Sequence, residues 1–166
     1  MQQINFFNSD CGFVETKLES FGIHDELDNS TKAYLVFDSQ KTWTLEVLNS
    51  KGKSIEFYPI DNCIKIYKEN SKNKESTCDG MLKFDSHLIF VELTESCHKS
   101  VEECISQIKS TICLFKIYHP DLVFVKKSAV VSNPARPTST ISHERCLDFR
   151  EETGFGLSVK TVLNIK

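Results

Sequence analysis

No stretch of this chain approaches the roughly 18 consecutive apolar residues that a membrane-spanning helix needs, so no membrane association is expected. Internal repeats and low-complexity tracts are missing as well. The opening residues, MQQINFFNSDCGF, contain neither a basic stretch nor an apolar run of leader length, and no secretory leader is expected. Excess positive charge is absent too. The formal net charge is -3 and the pI about 6.0, which gives no global attraction for nucleic acid or an acidic membrane. That balance argues against a passive nucleic-acid coat protein. It leaves a nuclease open, because a bound metal ion supplies local positive charge. The seven cysteines are odd in number, irregular in spacing and form no CxxC pair. Several lie in apolar runs, where a thiol acts as a small core residue. A reducing, cytoplasmic setting is the expectation.

What is present suits one globular domain over residues 1–166. Of the 166 residues, 40% are hydrophobic and 26% charged. A chain of this length buries about 70% of the surface exposed when unfolded, so it needs neither disulfide nor structural metal. Twelve phenylalanines point to a dense core and to a hydrophobic partner surface.

Periodicity predicts a mixed α/β protein with a central mixed sheet flanked by helices. Phe13, Val14, Leu18 and Phe21 suggest a short N-terminal helix within residues 11–27. Strands are expected at 33–37, 42–48, 54–58 and 63–67, joined as an antiparallel meander over 33–67, with Trp43 in the core. Residues 68–77 are polar and read as an exposed loop. A hairpin follows, with strands at 79–84 and 87–94 and a turn at Asp85-Ser86. Val101, Ile105, Ile108, Ile112 and Phe115 mark a helix over 99–118, with Ser100 as N-cap and Glu103 as its capping-box partner. A strand at 122–126, continued at 129–131, should return parallel to the hairpin. A short helix at 143–153 ending at Gly154 and a last strand at 157–165 complete the reading.

The hairpin holds the chemistry. A two-residue turn pairs Phe84 with His87 and sets Asp79 opposite Glu92 on one face, with Cβ atoms about 5 Å apart. Carboxylates that close repel unless a proton or cation lies between them. Such a pair can hold Mg²⁺ or Mn²⁺, which prefer oxygen ligands. Glu92 sits in the apolar strand LIFVELT, where a lone ionised group is expensive to bury. Thr94 faces the same side.

The order CDGML, LIFVELT, ECISQIKSTICLF resembles the PD-(D/E)xK nuclease-like superfamily over about residues 78–131. The resemblance implies a restriction-endonuclease-like core and metal-dependent cleavage of DNA or RNA. It assigns Asp79 as the hairpin acid, Glu92 as the acid of the E-x-K motif and Gln107 as the helix glutamine near the site. The motif lysine is replaced by Thr94, and the aromatic expected four residues after the glutamine is Thr111. The lysine role falls to Lys109 or Lys83, and an added acid to Glu15, Glu19 or Glu26.

Other groups have plainer readings. Cys97, His98 and Cys104 lack a fourth ligand for structural zinc. Lys126 and Lys127 beside Ser128 could meet phosphate or simply end a solvated strand. Arg136, between two prolines, could fix phosphate or a carboxylate. Two functions follow. One is a metal-dependent nuclease with Asp79, Glu92, Gln107 and Lys109 at its centre and nucleic acid as partner. The alternative is an inactive nuclease fold serving a protein partner or homodimer, as in a bacterial defence, repair or toxin-neutralising system.

Overall fold

The computed structural model describes residues 4–26, 30–38, 43–96, 98–137 and 139–166. In chain order these contain β1 (Val14–Thr16), β2 (Ser20–His24), β3 (Tyr34–Val36), β4 (Leu45–Leu48), β5 (Ile55–Pro59), β6 (Gly80–Phe84), β7 (His87–Leu93), α1 (Val101–Tyr118), β8 (Lys126–Ser132), α2 (His143–Thr153), β9 (Gly156–Val159) and β10 (Val162–Asn164). They build a mixed α/β fold from two sheets and two helices. One sheet has six strands in the order β1-β5-β6-β7-β8-β9, the other four in the order β10-β4-β2-β3.

Strand β7 explains the layering. Its sequence HLIFVEL is buried from its second residue onward, as a strand covered on both faces requires. Leu88 and Phe90 join Ile105, Ile108, Ile112 and Phe115 of α1 in one core. Ile89, Val91 and Leu93 join Phe21, Ile23, Leu45 and Val47 of the smaller sheet in another. The helices therefore cover one face of the large sheet and the second sheet covers the other.

The expected hairpin has its expected register, Phe84 to His87 through Gly80 to Val91. Asp85 adopts the left-handed backbone, φ 48°, that tightens the turn. The long helix carries the Ser100–Glu103 capping box, and β8 returns parallel to β7. The short helix ends on Gly154 in the left-handed conformation, φ 75°.

Elsewhere the structure departs from expectation. The N-terminal segment forms β1 and β2 instead of a helix, because Phe21 and Ile23 alternate into the inter-sheet core. The 33–67 meander is replaced by two sheets: β2 lies between β3 and β4, and β5 joins the large sheet. Residues 63–67 are no strand; their sheet-type pairing is an isolated bridge between Tyr67 and Lys74. The connection between the expected strands at 33–37 and 42–48 lies mostly outside the described residues. Trp43 is half-buried and not core, its ring lying over Gly22. Residues 122–125 stay outside β8, with Val123 87% and Val125 78% exposed. The last strand divides into β9 and β10, which belong to different sheets.

Cys11 and Cys63 form a disulfide, contrary to the expected fully reduced set; the packing of β1 on β5 brings these distant segments together. Cys97 lies outside the described residues, so the zinc grouping of Cys97, His98 and Cys104 does too. Among the described residues no helix is long and apolar enough to cross a membrane.

Candidate active site

Asp79 directly precedes β6, and the Gly80–Val91 pair carries it opposite Glu92. Its Oδ2 accepts a hydrogen bond from the Leu93 backbone N–H at 2.5 Å. Glu92 shares its strand face with Leu88 and Phe90, beneath the helical layer, and is fully buried. Lys99, just ahead of the N-cap of α1, donates to Glu92 Oε1 at 2.5 Å. The other carboxylate oxygen, Oε2, is buried with no hydrogen-bond partner.

Two further acids act on this pair. Asp25 follows β2 and Asp61 follows β5. Both push the Glu92 pKa up electrostatically, and Asp25 does the same to Asp79. Burial is the larger cause throughout. It lifts Glu92 to about 7 even though Lys99 pulls the other way. Burial and then Glu92 hold Asp79 well above the usual carboxylate range. Burial and then Asp61 raise Asp25 to about 6. Burial works to lower the Lys99 pKa, but the attraction and hydrogen bond of Glu92 outweigh it and leave it raised. The Cys104 thiol is pushed up to about 12 by burial and then by Glu92, so it stays neutral. Lys99 also lines an open cleft of about 570 Å³ together with Gln107, Glu103, Ser106, His98 and Ser76.

Helix α1 holds Asp79 in place through two contacts. Gln107 Nε2 donates to the Thr77 carbonyl at 3.3 Å. Thr111 Oγ1 accepts from the Cys78 backbone N–H at 2.7 Å and donates to the Gln107 carbonyl. The threonine standing where the resemblance expects an aromatic therefore fixes the residue before Asp79. Thr94 caps the chain after β7, accepting from the Ser96 N–H at 3.1 Å.

The two lysines expected at the site are elsewhere. Lys109 pairs with Glu152 and lies 6.0 Å from the Phe149 ring centroid, at the α1–α2 junction. Lys83 donates to both oxygens of Glu56 at 2.8 Å. Glu15 accepts from Ser54 on the exposed edge, Glu19 is exposed, and Glu26 accepts from the Tyr34 hydroxyl at 2.7 Å. Lys99, Asp25 and Asp61 were not singled out from the sequence. The signal for Lys99 was its place beside the N-cap Ser100, which turns the chain back over the end of β7. Asp25 and Asp61 carry no local signal: Asp25 meets the acid pair through the packing of the smaller sheet on the larger, and Asp61 through the pairing of β5 with β6.

All four acids offer hard oxygen donors, yet among the described residues no three metal-ligating side chains are close enough together to hold an ion. No protein-family model, curated protein or solved structure matches the chain.

Proposed function

We propose that the protein is a divalent-metal-dependent hydrolase of nucleic-acid phosphodiester bonds, with Asp79, Glu92 and Lys99 at its centre. The observation that carries this reading is the Glu92 carboxylate. It is 0% exposed, bound to Lys99 through one oxygen and unpartnered at the other. A fully buried acid with a free oxygen opposite a second acid suits an oxygen-seeking cation.

The residues fit Mg²⁺ or Mn²⁺ in a restricted sense. Mg²⁺ is commonly held by one or two carboxylates, with waters and substrate phosphate filling the remaining positions. Asp79 and Glu92 would hold it, with Asp25 and Asp61 adding negative charge. When bound, such an ion lowers the pKa of a coordinated water and polarises a phosphoryl oxygen. The chain's own groups supply the rest. Lys99 would place its ammonium beside the scissile phosphate and offset the negative charge that develops there. Gln107, engaged with Thr77, would act as a positioning residue for Asp79. The succession of an antiparallel β5–β6–β7, the crossover α1 and a parallel β8 supports the resemblance, with the lysine arriving from position 99 and not from 94.

A second reading has its own observation. Ile117 in the last turn of α1 and Leu122, Val123 and Val125 between α1 and β8 are exposed aliphatic residues. They favour an assembly module, although Phe124 among them is half-buried and the segment is not phenylalanine-rich.

The test is cleavage of labelled single- and double-stranded DNA and RNA with Mg²⁺ or Mn²⁺, alongside calorimetric metal titration. Cleavage that disappears in Asp79→Asn and Glu92→Gln supports the hydrolase. No cleavage together with no saturable metal binding rejects it, and light scattering then tests for a homodimer.

A further inference from the structure

The opposite end of β7 from the Asp79–Glu92 pair carries a second cavity, lined by positive charge. About 540 Å³ of space opens where His87, the start of β8, the end of α2 and the segment after β10 meet. Lys126, Lys127, Arg150 and Lys166 line it, and no Asp or Glu does. Among the described residues none of these four cations forms an ion pair. The nearby acid Asp85 is engaged by Lys53 at 2.7 Å. In a chain of net charge -3, four unpaired cations around one cavity form a local reversal of field.

The walls add specificity to that charge. The His87 ring stacks on Phe84 with centroids 4.5 Å apart and planes 16° from parallel. His87 Nδ1 is buried and has no hydrogen-bond partner. Burial, then Lys126 and Lys53, lower the His87 pKa, so its imidazole is neutral near pH 7 and offers one donor and one acceptor nitrogen. Lys127 Nζ lies 5.5 Å from the Phe155 ring centroid, which fixes one cation at the rim. Flexible lysines act as point charges toward a phosphate, while an arginine presents a planar fork.

We propose that this cavity binds a phosphate monoester carried on a flat body: a nucleoside monophosphate or the 5′-phosphorylated end of a strand. Lys126, Lys127 and Arg150 take the phosphate, Lys166 closes the far side, and the Phe84–His87 stack forms the wall for the body. Glu92 lies five positions along β7 from His87, about 17 Å at strand rise, so this site is distinct from the acid cluster. It does not depend on hydrolysis at Asp79 and Glu92.

The experiment is calorimetry on the full chain in EDTA, which removes any metal-dependent contribution. The probes are adenosine 5′-monophosphate, adenosine, and tetrathymidylate with and without a 5′-phosphate. Saturable binding of a phosphorylated probe is expected, with adenosine and the unphosphorylated oligomer at least tenfold weaker. Tighter binding of the monophosphate assigns a free nucleotide; tighter binding of the phosphorylated oligomer assigns a strand end. Lys126 and Arg150 are exposed, so the Lys126→Gln, Arg150→Gln double variant should keep its thermal midpoint and bind at least tenfold more weakly. No saturable binding of either phosphorylated probe, or equal binding by the double variant, overturns the proposal.

Discussion

Lys99 Nζ stands 2.5 Å from Glu92 Oε1 while Oε2 of the same buried carboxylate has no partner. The pair is thus half-satisfied: one cation meets one oxygen, and burial sets the balance of charge. Glu92 has its pKa raised to about 7 from 4.5. In the unfolded chain it ionises near the lower value. Between the two the native state holds a proton that the unfolded state has lost, so stability is full below 4.5 and falls as pH rises through 7. The Glu92 contribution to this loss is roughly 3 kcal/mol. Urea unfolding at pH 5 and pH 8 should show the decline, and Glu92→Gln should make it shallower, with buried Asp79 and Asp25 supplying the remainder. Adding Mg²⁺ at pH 8 should restore stability to the wild type but not to the variant. A wild-type profile as shallow as that of Glu92→Gln would refute the assignment.

Removing the lysine should expose the same imbalance from its other side. Lys99→Ala leaves a buried carboxylate with neither oxygen paired, a change that costs about 3 kcal/mol when the acid is ionised. The penalty should be large at pH 8 and small at pH 5, where Glu92 is protonated. Adding Glu92→Gln to Lys99→Ala should recover much of the loss at pH 8. If Lys99 also acts on phosphate, Lys99→Ala should reduce cleavage at least 100-fold while Mg²⁺ still binds. An equal penalty at both pH values would show that the lysine contributes through packing alone.

The parts of this fold that could be read from sequence are those whose signal is local. Ser100, Glu103 and the apolar spacing from Val101 to Phe115 lie within one helix, and the cap and buried face follow from them. The hairpin register follows from a two-residue turn and strand alternation. Asp79 opposite Glu92 was therefore legible, while Lys99 on Glu92 was not, because that contact depends on how the chain re-enters after β7. Asp25 and Asp61 were hidden for a stronger reason: each lies past the end of a strand remote in sequence, Asp25 beyond β2 of the smaller sheet and Asp61 beyond β5 of the larger. The residues around Lys160 misled similarly. No glycine, proline, asparagine or aspartate marks a turn between Val159 and Val162, yet the chain leaves one sheet there for the other.

Gly22 illustrates a backbone position that only tertiary structure explains. A Cβ there would lie 2.1 Å from Trp43 Cγ and 2.3 Å from Cδ1, well inside contact distance. Gly22→Ala must displace the indole, which would also lose the hydrogen bond from Nε1 to the Asp38 carbonyl at 3.1 Å. Overpacking of this kind costs about 1–3 kcal/mol. Trp43 is the only tryptophan, so its fluorescence should shift to the red in Gly22→Ala. Trp43→Leu should recover part of the stability lost. An unchanged emission spectrum in Gly22→Ala would mean that the ring does not rest on Gly22 in solution.

The Cys11–Cys63 crosslink bears on both stability and the acid cluster. It closes a loop with a sequence separation of 52, for which chain entropy gives a stabilisation of about 4 kcal/mol. Cys63 also ends a tight turn, donating its N–H to the Ile60 carbonyl at 3.1 Å, and Asp61 lies inside that turn. Asn62, with φ 58°, bonds to the Thr31 carbonyl at 2.6 Å and so ties the turn to the second sheet. Reduction should lower the urea midpoint and loosen Asp61, weakening Mg²⁺ binding severalfold without abolishing it, because Asp79 and Glu92 remain. Cys11→Ser with Cys63→Ser should behave like the reduced wild type and no longer respond to dithiothreitol. Mass spectrometry after alkylation should find Cys11 and Cys63 protected until reductant is added. Labelling of both residues in untreated protein would show that the crosslink is absent in solution and that the turn at Asp61 is held by its hydrogen bonds alone.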